Sequence, residues 1–370
     1  MRERRGTTPF ATQTRGRSFW LSRAYPFGST GRWLLFFRRL TGDGRIGAVT
    51  PSLTGMEQRT LEAVIYEREP PIARIILNRP DKANTKDAQL VQDVDECLRE
   101  ADRDGEIKVV IIKANGKGFC GGHVARWGPD ENPYPDFGNT FESLYKGTAD
   151  LFLWPTLYLW EFPKPTISQI HGYCMGGGIY LGLLTDFCVA SEDAYFQMPL
   201  AQSLGEPGGH TMIEPWLLMN WHRTMDWLLL APTLNAAQAL DWGLLNKVVP
   251  RDDLEETVEE MARKISQIPL TTLMAVKNNV KRAWELMGMR VHLQVSHILT
   301  NMVGAASDVQ ARRAELIQSG LKPRDFVDEP LARRAEGRDE PLARRAEGRD
   351  EPLARRETAV DRDDTEAGGG

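Results

Sequence analysis

The chain contains little of what marks proteins of oxidising compartments, membranes or nucleic acids. Only four cysteines occur in its 370 residues, and no two form a CxxC pair, so neither a thioredoxin motif nor a zinc knuckle is present. This usage is typical of reduced thiols and predicts a cytoplasmic protein. No apolar run approaches the roughly 20 residues that span a bilayer. The formal net charge of -5 gives no basis for binding nucleic acid or a membrane surface.

The first 55 residues differ in composition from the rest of the chain. They are rich in Arg, Gly, Ser and Thr, and Glu3 and Asp43 are their only acids. An Arg- and Ser-rich, acid-poor leader is typical of a mitochondrial transit peptide, which would make the protein mitochondrial. The alternative is a translation start placed too far upstream, because a domain-like pattern begins directly after Met56. Both interpretations predict disorder over residues 1–55.

A duplicated motif occupies residues 328–370. Asp-Glu-Pro-Leu-Ala-Arg-Arg recurs at Asp328, Asp339 and Asp350, a period of 11 residues. The proline in each copy interrupts a continuous helix, and leucine is the only large apolar residue per copy. Such a repeat cannot bury a core, so it predicts a disordered tail rather than a solenoid.

The pattern between these ends, over residues 56–327, is that of an α/β domain. Residues 87–104 repeat apolar side chains at steps of three and four, which predicts an amphipathic helix. The run Val109–Ile112 is suited to a buried parallel strand. Further strands are predicted at 166–170, 187–190 and 247–249. Strands that alternate with helices favour a layered core, and from about 250 to 320 the pattern is helical.

Two glycine-rich segments come directly after two of these strands. The first is Gly116–His123, with the sequence GKGFCGGH, and the second is His171–Gly178, with the sequence HGYCMGGG, which leads into an apolar helix. Glycines let the backbone turn tightly and bring N–H groups to a ligand, and a helix start offers unpaired donors. Two such turns can meet at one oxygen, which is the requirement for an oxyanion hole. Neither segment carries a P-loop or a GxGxxG pattern.

Four segments in this order resemble the crotonase (enoyl-CoA hydratase/isomerase) superfamily over about residues 61–326. They are Leu77–Asn84, which looks like the CoA-site signature, Gly118–His123 and Lys164–Gly178, which look like the two oxyanion loops, and Ala237–Asn246, which looks like a later family segment. The resemblance implies a spiral of ββα repeats with a helical C-terminal region. It also implies an acyl-CoA thioester substrate, no metal, no cofactor besides the coenzyme A of the substrate, and a homotrimer or homohexamer.

The resemblance also assigns site residues. It places the two oxyanion donors on the backbone N–H groups of His123 and Gly177. The residues expected to contact CoA or substrate are Lys82, Ala83, Asn84, Gly121, Gly122 and Gly176. Hydratases of this family use two glutamates, and Tyr180 and Leu200 stand at their positions here. Hydration needs a base for water and an acid for the α-carbon, and neither position supplies that pair.

The proton carrier is therefore predicted to be Glu206, in the loop after the second missing glutamate, assisted by His123 or Tyr180. Beside Pro207 and two glycines, its carboxyl group would be partly desolvated, which raises a pKa. The alternatives are a surface glutamate, a loop histidine that supplies only its N–H, and a core tyrosine. His210 is a second candidate, and Asp186 is expected to make structural hydrogen bonds.

Many aromatic residues lie between residues 125 and 161, including Trp127, Tyr145, Phe152 and Tyr158. They predict either a pocket for a bulky or cyclic acyl group or a subunit interface. The predicted function is an enzyme that stabilises a thioester enolate, with hydration, isomerisation and hydrolysis left open. The alternatives are a C–C hydrolase of a cyclic β-keto acyl-CoA and a catalytically silent acyl-CoA-binding protein.

The composition of both ends predicts that they are dispensable. A truncated chain spanning residues 56–328 is expected to fold, to form the same assembly as the full chain and to bind CoA thioesters equally well. Light scattering would give the mass of the assembly, and calorimetry the affinity. Loss of soluble protein on truncation would show instead that one of the two ends is structural.

Overall fold

The computed structural model describes most of the predicted domain and parts of the leader. The described residues are 20–27, 32–39, 50–51, 56–123 and 140–319. The predicted repeat tail, residues 328–370, lies outside them.

The regular elements alternate between strands and helices before the chain becomes helical. The strands are β1 Trp20–Phe27, β2 Arg32–Arg39, β3 Thr50–Pro51, β4 Glu57–Thr60, β5 Val64–Glu69, β6 Ile72–Leu77, β7 Val109–Ala114, β8 Thr166–Ile170, β9 Tyr173–Met175, β10 Phe187–Ser191, β11 Tyr195–Gln197, β12 Leu234–Asn235 and β13 Lys247–Val249. The α-helices are α1 Ala88–Arg103, α2 Phe141–Thr148, α3 Trp154–Glu161, α4 Gly177–Leu183, α5 Leu200–Leu204, α6 Glu214–Leu218, α7 Trp221–Met225, α8 Ala236–Asp241, α9 Leu254–Ser266, α10 Leu270–Leu286, α11 Met289–Gly304 and α12 Ser307–Ser319. Two π-helical segments, Ala149–Leu153 and Asp226–Leu230, interrupt this order.

The main sheet has eight strands in the order β13-β10-β8-β7-β6-β5-β4-β3. The five strands from β13 to β6 are parallel, and β5, β4 and β3 continue the sheet in antiparallel fashion. A second sheet has the order β12-β11-β9. The strands predicted at 109–112, 166–170, 187–190 and 247–249 all lie in the parallel part, so the predicted α/β class is confirmed.

Part of the leader departs from the predicted disorder. Strands β1 and β2 pair in antiparallel fashion, with Trp20 opposite Arg39 and Phe27 opposite Arg32. The second strand contains Trp33–Phe37, whose aromatic and aliphatic residues favour extended backbone. The composition of the leader predicted disorder, whereas the strand preference of these residues favours the hairpin.

Helices cover both faces of the parallel strands. On one face α1 begins at its N-cap Asp87, whose side chain accepts a hydrogen bond from Leu90 N over 2.9 Å. The predicted apolar stripe of α1 is buried there: Leu90, Val94, Cys97, Leu98 and Ala101. On the other face α9 buries Leu254 and Val258 against β7 and its neighbours. The core is therefore a three-layer arrangement, as expected for a parallel sheet.

A buried ion pair joins the C-terminal helices to the sheet. Asp186 accepts hydrogen bonds from Thr166 N and Oγ1, both over 2.8 Å, and contacts the amine of Lys277 at 2.6 Å and that of Lys281 at 3.3 Å. Burial acts to raise the pKa of Asp186, but the two ammonium groups outweigh it and the pKa lies below its ordinary value. Asp186 therefore has the structural role predicted for it.

Helix α11 faces the core with its polar side. Its buried residues include Ser296, His297, Thr300 and Asn301. Its exposed residues include an apolar stripe at steps of three and four, formed by Val291, Val295, Ile298 and Met302. Within the part of the chain that the structure describes, no helix combines the length and the apolar character needed to cross a bilayer.

Candidate active site

The two predicted glycine-rich segments lie side by side. Met175 N donates to Cys120 O over 3.0 Å, and Cys120 N donates to Tyr173 O over 3.1 Å. A Cβ atom placed on Gly122 would lie 3.7 Å from the amide nitrogen of Gly177. The two turns therefore meet, and their use as an oxyanion hole stays a prediction.

The backbone requires glycine on both sides of this junction. Gly122 has a φ angle of 109° and Gly176 a φ angle of 47°, in the left-handed region that disfavours other residues. Gly177 is the first residue of α4, so its N–H has no acceptor within that helix. Next to Gly122, His123 is held in place because Lys86 N donates to Gly122 O over 2.7 Å.

The predicted CoA-site segment is attached to the first glycine loop. Gly121 N donates to Ala83 O over 2.9 Å. The amide nitrogen of the fully buried Asn84 side chain donates to Asn115 O over 2.9 Å and to Gly118 O over 3.2 Å. Asn84 was predicted to contact CoA or substrate, but its side chain instead satisfies two backbone carbonyls inside the fold. Lys82 is exposed.

The imidazole of His123 covers Gly177. A Cβ atom on Gly177 would lie 2.0 Å from Cδ2 of that ring, and the ring meets Phe152 edge-on at 4.3 Å. Its Nδ1 has no hydrogen-bond partner among the described residues. Burial first, and then the positive charge of Lys86, hold the pKa of His123 well below its ordinary value. The ring is therefore neutral at neutral pH.

A row of neighbouring rings extends from His123 into the helical region. We call it the ring cluster; it contains His123, Phe152, His210, His297 and Tyr145, with successive centroids 4.3, 4.5, 5.6 and 4.8 Å apart. Burial lowers the pKa of His210 to about 3 and that of His297 to about 4, so both are neutral. The ring cluster therefore combines three neutral imidazoles with the aromatic rings of Phe152 and Tyr145 beside the glycine turns.

The predicted aromatic segment serves two purposes. Phe152, on a π-helical turn, and Tyr145 belong to the ring cluster. Tyr158 lies under the guanidinium of Arg99 at 4.1 Å, and Trp160 Nε1 donates to Glu285, so these two pack the scaffold. Trp127, Tyr134 and Phe137 lie outside the described residues.

The sequence did not single out Glu214, which is the partner of Tyr180. The Tyr180 hydroxyl donates to Oε1 of Glu214 over 3.2 Å, and Oε2 has no partner among the described residues. Glu214 is fully buried, and burial raises its pKa to about 7. One sequence signal was available: Glu214 is the only Asp, Glu, Lys or Arg between Pro207 and His222.

Glu206, the predicted proton carrier, lies near this pair but is itself paired. Its Oε1 accepts a hydrogen bond from Arg313 of α12 over 2.6 Å. Burial raises the pKa of Glu206 although the guanidinium opposes it, and its negative charge contributes to the raised pKa of Tyr180. Leu200, at the second position where the resemblance predicts a glutamate, begins α5. Three acidic groups therefore gather behind the glycine turns: Glu206, Glu214 and the phenol of Tyr180.

Fold and site together define an α/β enzyme in which two backbone turns meet beside the ring cluster. The profile of the enoyl-CoA hydratase/isomerase family matches residues 67–315, and the chain belongs to this family. It is an acyl-CoA-processing enzyme with the crotonase fold, which confirms the family and fold predicted from the sequence.

Characterised relatives and solved structures agree with this assignment. The chain is 27% identical over 254 residues to 1,2-epoxyphenylacetyl-CoA isomerase of Escherichia coli K12, covering 67% of this chain and 92% of that one. It is 28% identical over 227 residues to carnitinyl-CoA dehydratase of Citrobacter koseri, covering 61% and 82%. A crystal structure of enoyl-CoA hydratase from Mycobacterium smegmatis superposes with a TM-score of 0.64 at 26% identity, over 75% of this chain and 94% of that one.

Glu214 is expected to impose a pH dependence on folding stability. Its pKa of about 7 lies above the roughly 4.3 of an unfolded glutamate, so the folded state keeps the proton longer. The stability it contributes is complete below about pH 4.3 and is lost as the pH rises to about 7. Glu214→Gln should therefore gain about 2–3 kcal/mol relative to wild type between about pH 5 and pH 8, at ~1.4 kcal/mol per pKa unit.

The measurement is denaturant unfolding at one fixed protein concentration. Unfolding is measured at about pH 5 and at about pH 8. Glu62→Gln is the matched control, because Glu62 is exposed. A Glu214→Gln difference that does not change with pH would contradict a neutral buried carboxyl group.

Proposed function

We propose that the enzyme holds a thioester carbonyl between the backbone N–H groups of His123 and Gly177 and stabilises the enolate that forms from it. The observation that supports this most directly is the junction of the two glycine turns, with Gly177 N beside Gly122. Backbone donors fixed in advance stabilise a developing oxyanion without reorganisation. Hydration of an enoyl-CoA, isomerisation of its double bond and C–C hydrolysis of a β-keto acyl-CoA each form such an enolate. In the C–C hydrolysis, water adds to the β-carbonyl and the Cα–Cβ bond breaks to leave the enolate.

We further propose that Glu206 moves the proton at the α-carbon, with Tyr180 beside it. Glu206 retains partial exposure, whereas Glu214 is fully buried and can act only through the Tyr180 hydroxyl. Glu214 is thus a positioning residue that fixes the phenol. The neutral imidazole of His123 can donate or accept a hydrogen bond at Nδ1, depending on its tautomer, so we assign it a substrate-contact role.

The acyl group is proposed to be bulky or cyclic, because the ring cluster presents a broad apolar surface beside His123. Mass spectrometry of products from a panel of linear and cyclic acyl-CoA thioesters tests this proposal and identifies the reaction. Tight binding with no turnover of any thioester would favour the silent, acyl-CoA-binding alternative. Cleavage of a cyclic β-keto acyl group would favour the C–C hydrolase.

Self-association into a trimer or hexamer is proposed through the outer face of α10 and α11. That face exposes Val276, Val280, Leu286, Val291, Val295, Ile298 and Met302. An apolar patch of this kind is typical of a surface that another subunit covers. Because the opposite side of α11 supplies His297 to the ring cluster, assembly would also steady the acyl site.

The oxyanion assignment is tested at Gly177. In Gly177→Ala the new methyl group would overlap the imidazole of His123, so the ring or the turn must move. Loss of one oxyanion donor lowers kcat by about 10²–10³, and we expect an effect of this order in a steady-state assay of the folded variant.

The double variant Gly177→Ala/His123→Ala removes the overlapping ring. If displacement of the turn causes the loss, Gly177→Ala should lower kcat less when the ring is absent. The ratio of the double variant to His123→Ala should then be larger than the ratio of Gly177→Ala to wild type. Full activity of a folded Gly177→Ala protein would exclude Gly177 as a donor.

The proton carrier is tested by matched Glu→Gln changes. A positioned acid or base contributes about 10²–10⁴-fold, so Glu206→Gln should lower kcat by that order and leave acyl-CoA affinity nearly unchanged. Glu214→Gln should have a smaller effect on kcat and shift its pH profile. Glu192→Gln, at an exposed position, is the control.

Two other outcomes would reassign the chemistry. A larger loss in Glu214→Gln than in Glu206→Gln would make the Tyr180–Glu214 pair the proton carrier. Full activity in Glu206→Gln together with loss in His123→Ala would make the histidine the carrier.

A further inference from the structure

One buried lysine of the described chain has neither a hydrogen-bond partner nor a counter-charge for its amine. Lys86 is 7% exposed, and its amine makes neither a hydrogen bond nor an ion pair with any residue that the structure describes. The other two buried lysines are fully engaged. Lys164 donates to Ala101 O and Asp104 O over 2.5 and 2.6 Å, and Lys277 contacts Asp186 at 2.6 Å.

The environment of Lys86 opposes its charge. Burial lowers the pKa of this amine to about 8. An ammonium group taken out of water is unfavourable unless an anion or several acceptors replace the lost hydration. The amine therefore stands ready to gain a partner that the described protein does not provide.

The Lys86 side chain lines a cavity between α1, α3 and α4. The walls are largely apolar and include Leu90, Val94, Leu98, Leu159 and Leu181. One carboxylate also lines it, Asp95, but both of its oxygens are bonded to Arg99 over 2.6 and 3.1 Å. Within the described lining, Lys86 is thus the cation without a partner.

Two residues of the cavity lining, Lys86 and Tyr180, connect it to the two glycine turns. The backbone N–H of Lys86 donates to Gly122 O over 2.7 Å, immediately before His123. On the other side the lining includes Tyr180, three residues beyond Gly177 and so on the same side of α4. An acyl group that extends from a thioester held at the turns has this cavity within reach.

We propose that the cavity takes the distal part of the acyl group and that Lys86 binds a carboxylate carried there. The substrate class is then a CoA monothioester of a dicarboxylic acid, with an apolar body between its two ends. This inference rests on the proposed binding of the thioester at His123 and Gly177. The charge of the acyl group, rather than its bulk alone, would select substrates.

The test compares thioesters of equal length by calorimetry with the full chain. Wild type should bind adipyl-CoA at least tenfold more tightly than hexanoyl-CoA, because only the former carries a carboxylate. Lys86→Met should lose this preference and keep the hexanoyl-CoA affinity. Methionine has a similar length and lacks the buried charge, so the variant is expected to fold.

Lys82→Met is the matched control, since it removes one exposed cation from the predicted CoA segment. It should change both affinities by the same factor. Equal binding of the two thioesters by wild type would overturn the proposal, and so would a preference that persists in Lys86→Met. The wild-type comparison decides the matter even if the variant does not fold. Binding of neither thioester would instead overturn the proposed function, and this inference with it.

Discussion

The hydrogen bonds that join the two glycine turns are the constraint on which the rest of the site depends. Cys120 bonds to both Tyr173 and Met175 through its backbone, and this holds the end of the first turn against the start of α4. The turns themselves leave β7 and β8, adjacent parallel strands of one sheet. Because neighbouring parallel strands end at the same edge, the two turns are brought together by the backbone.

The side chains around this junction come from distant parts of the chain, and many of them are polar groups placed in a dry interior. Helix α11 buries His297 and Asn301, and α12 supplies Arg313 to Glu206. Burial without compensating charge lowers the pKa of each buried imidazole and raises that of Glu214. The site therefore holds neutral imidazoles beside a carboxyl group whose pKa is strongly perturbed by burial, and perturbed groups of this kind are typical of functional sites.

The acidic group nearest to Tyr180 comes from a later part of the chain than the predicted catalytic loop. The Tyr180 hydroxyl donates to Glu214, which belongs to helix α6. The tyrosine is longer than a glutamate, so its polar atom lies deeper, against Gly209. A Cβ atom on residue 209 would overlap the Tyr180 hydroxyl, so a tyrosine at position 180 requires a glycine at position 209.

The sequence by itself determined the α/β class, the strands at 109–112 and 166–170, the amphipathic α1, the family and the two glycine turns. The fold class, the strands, the helix and the turns depend on local periodicity or on backbone geometry that neighbouring residues specify, whereas the family came from the resemblance of four segments to known motifs. Only the tertiary structure decided that Glu206 meets Arg313, that Tyr180 meets Glu214, and that Lys86 is buried with no partner among the described residues. The two pairs join residues 107 and 34 positions apart in the chain, and their burial depends on how helices pack, which no local pattern records.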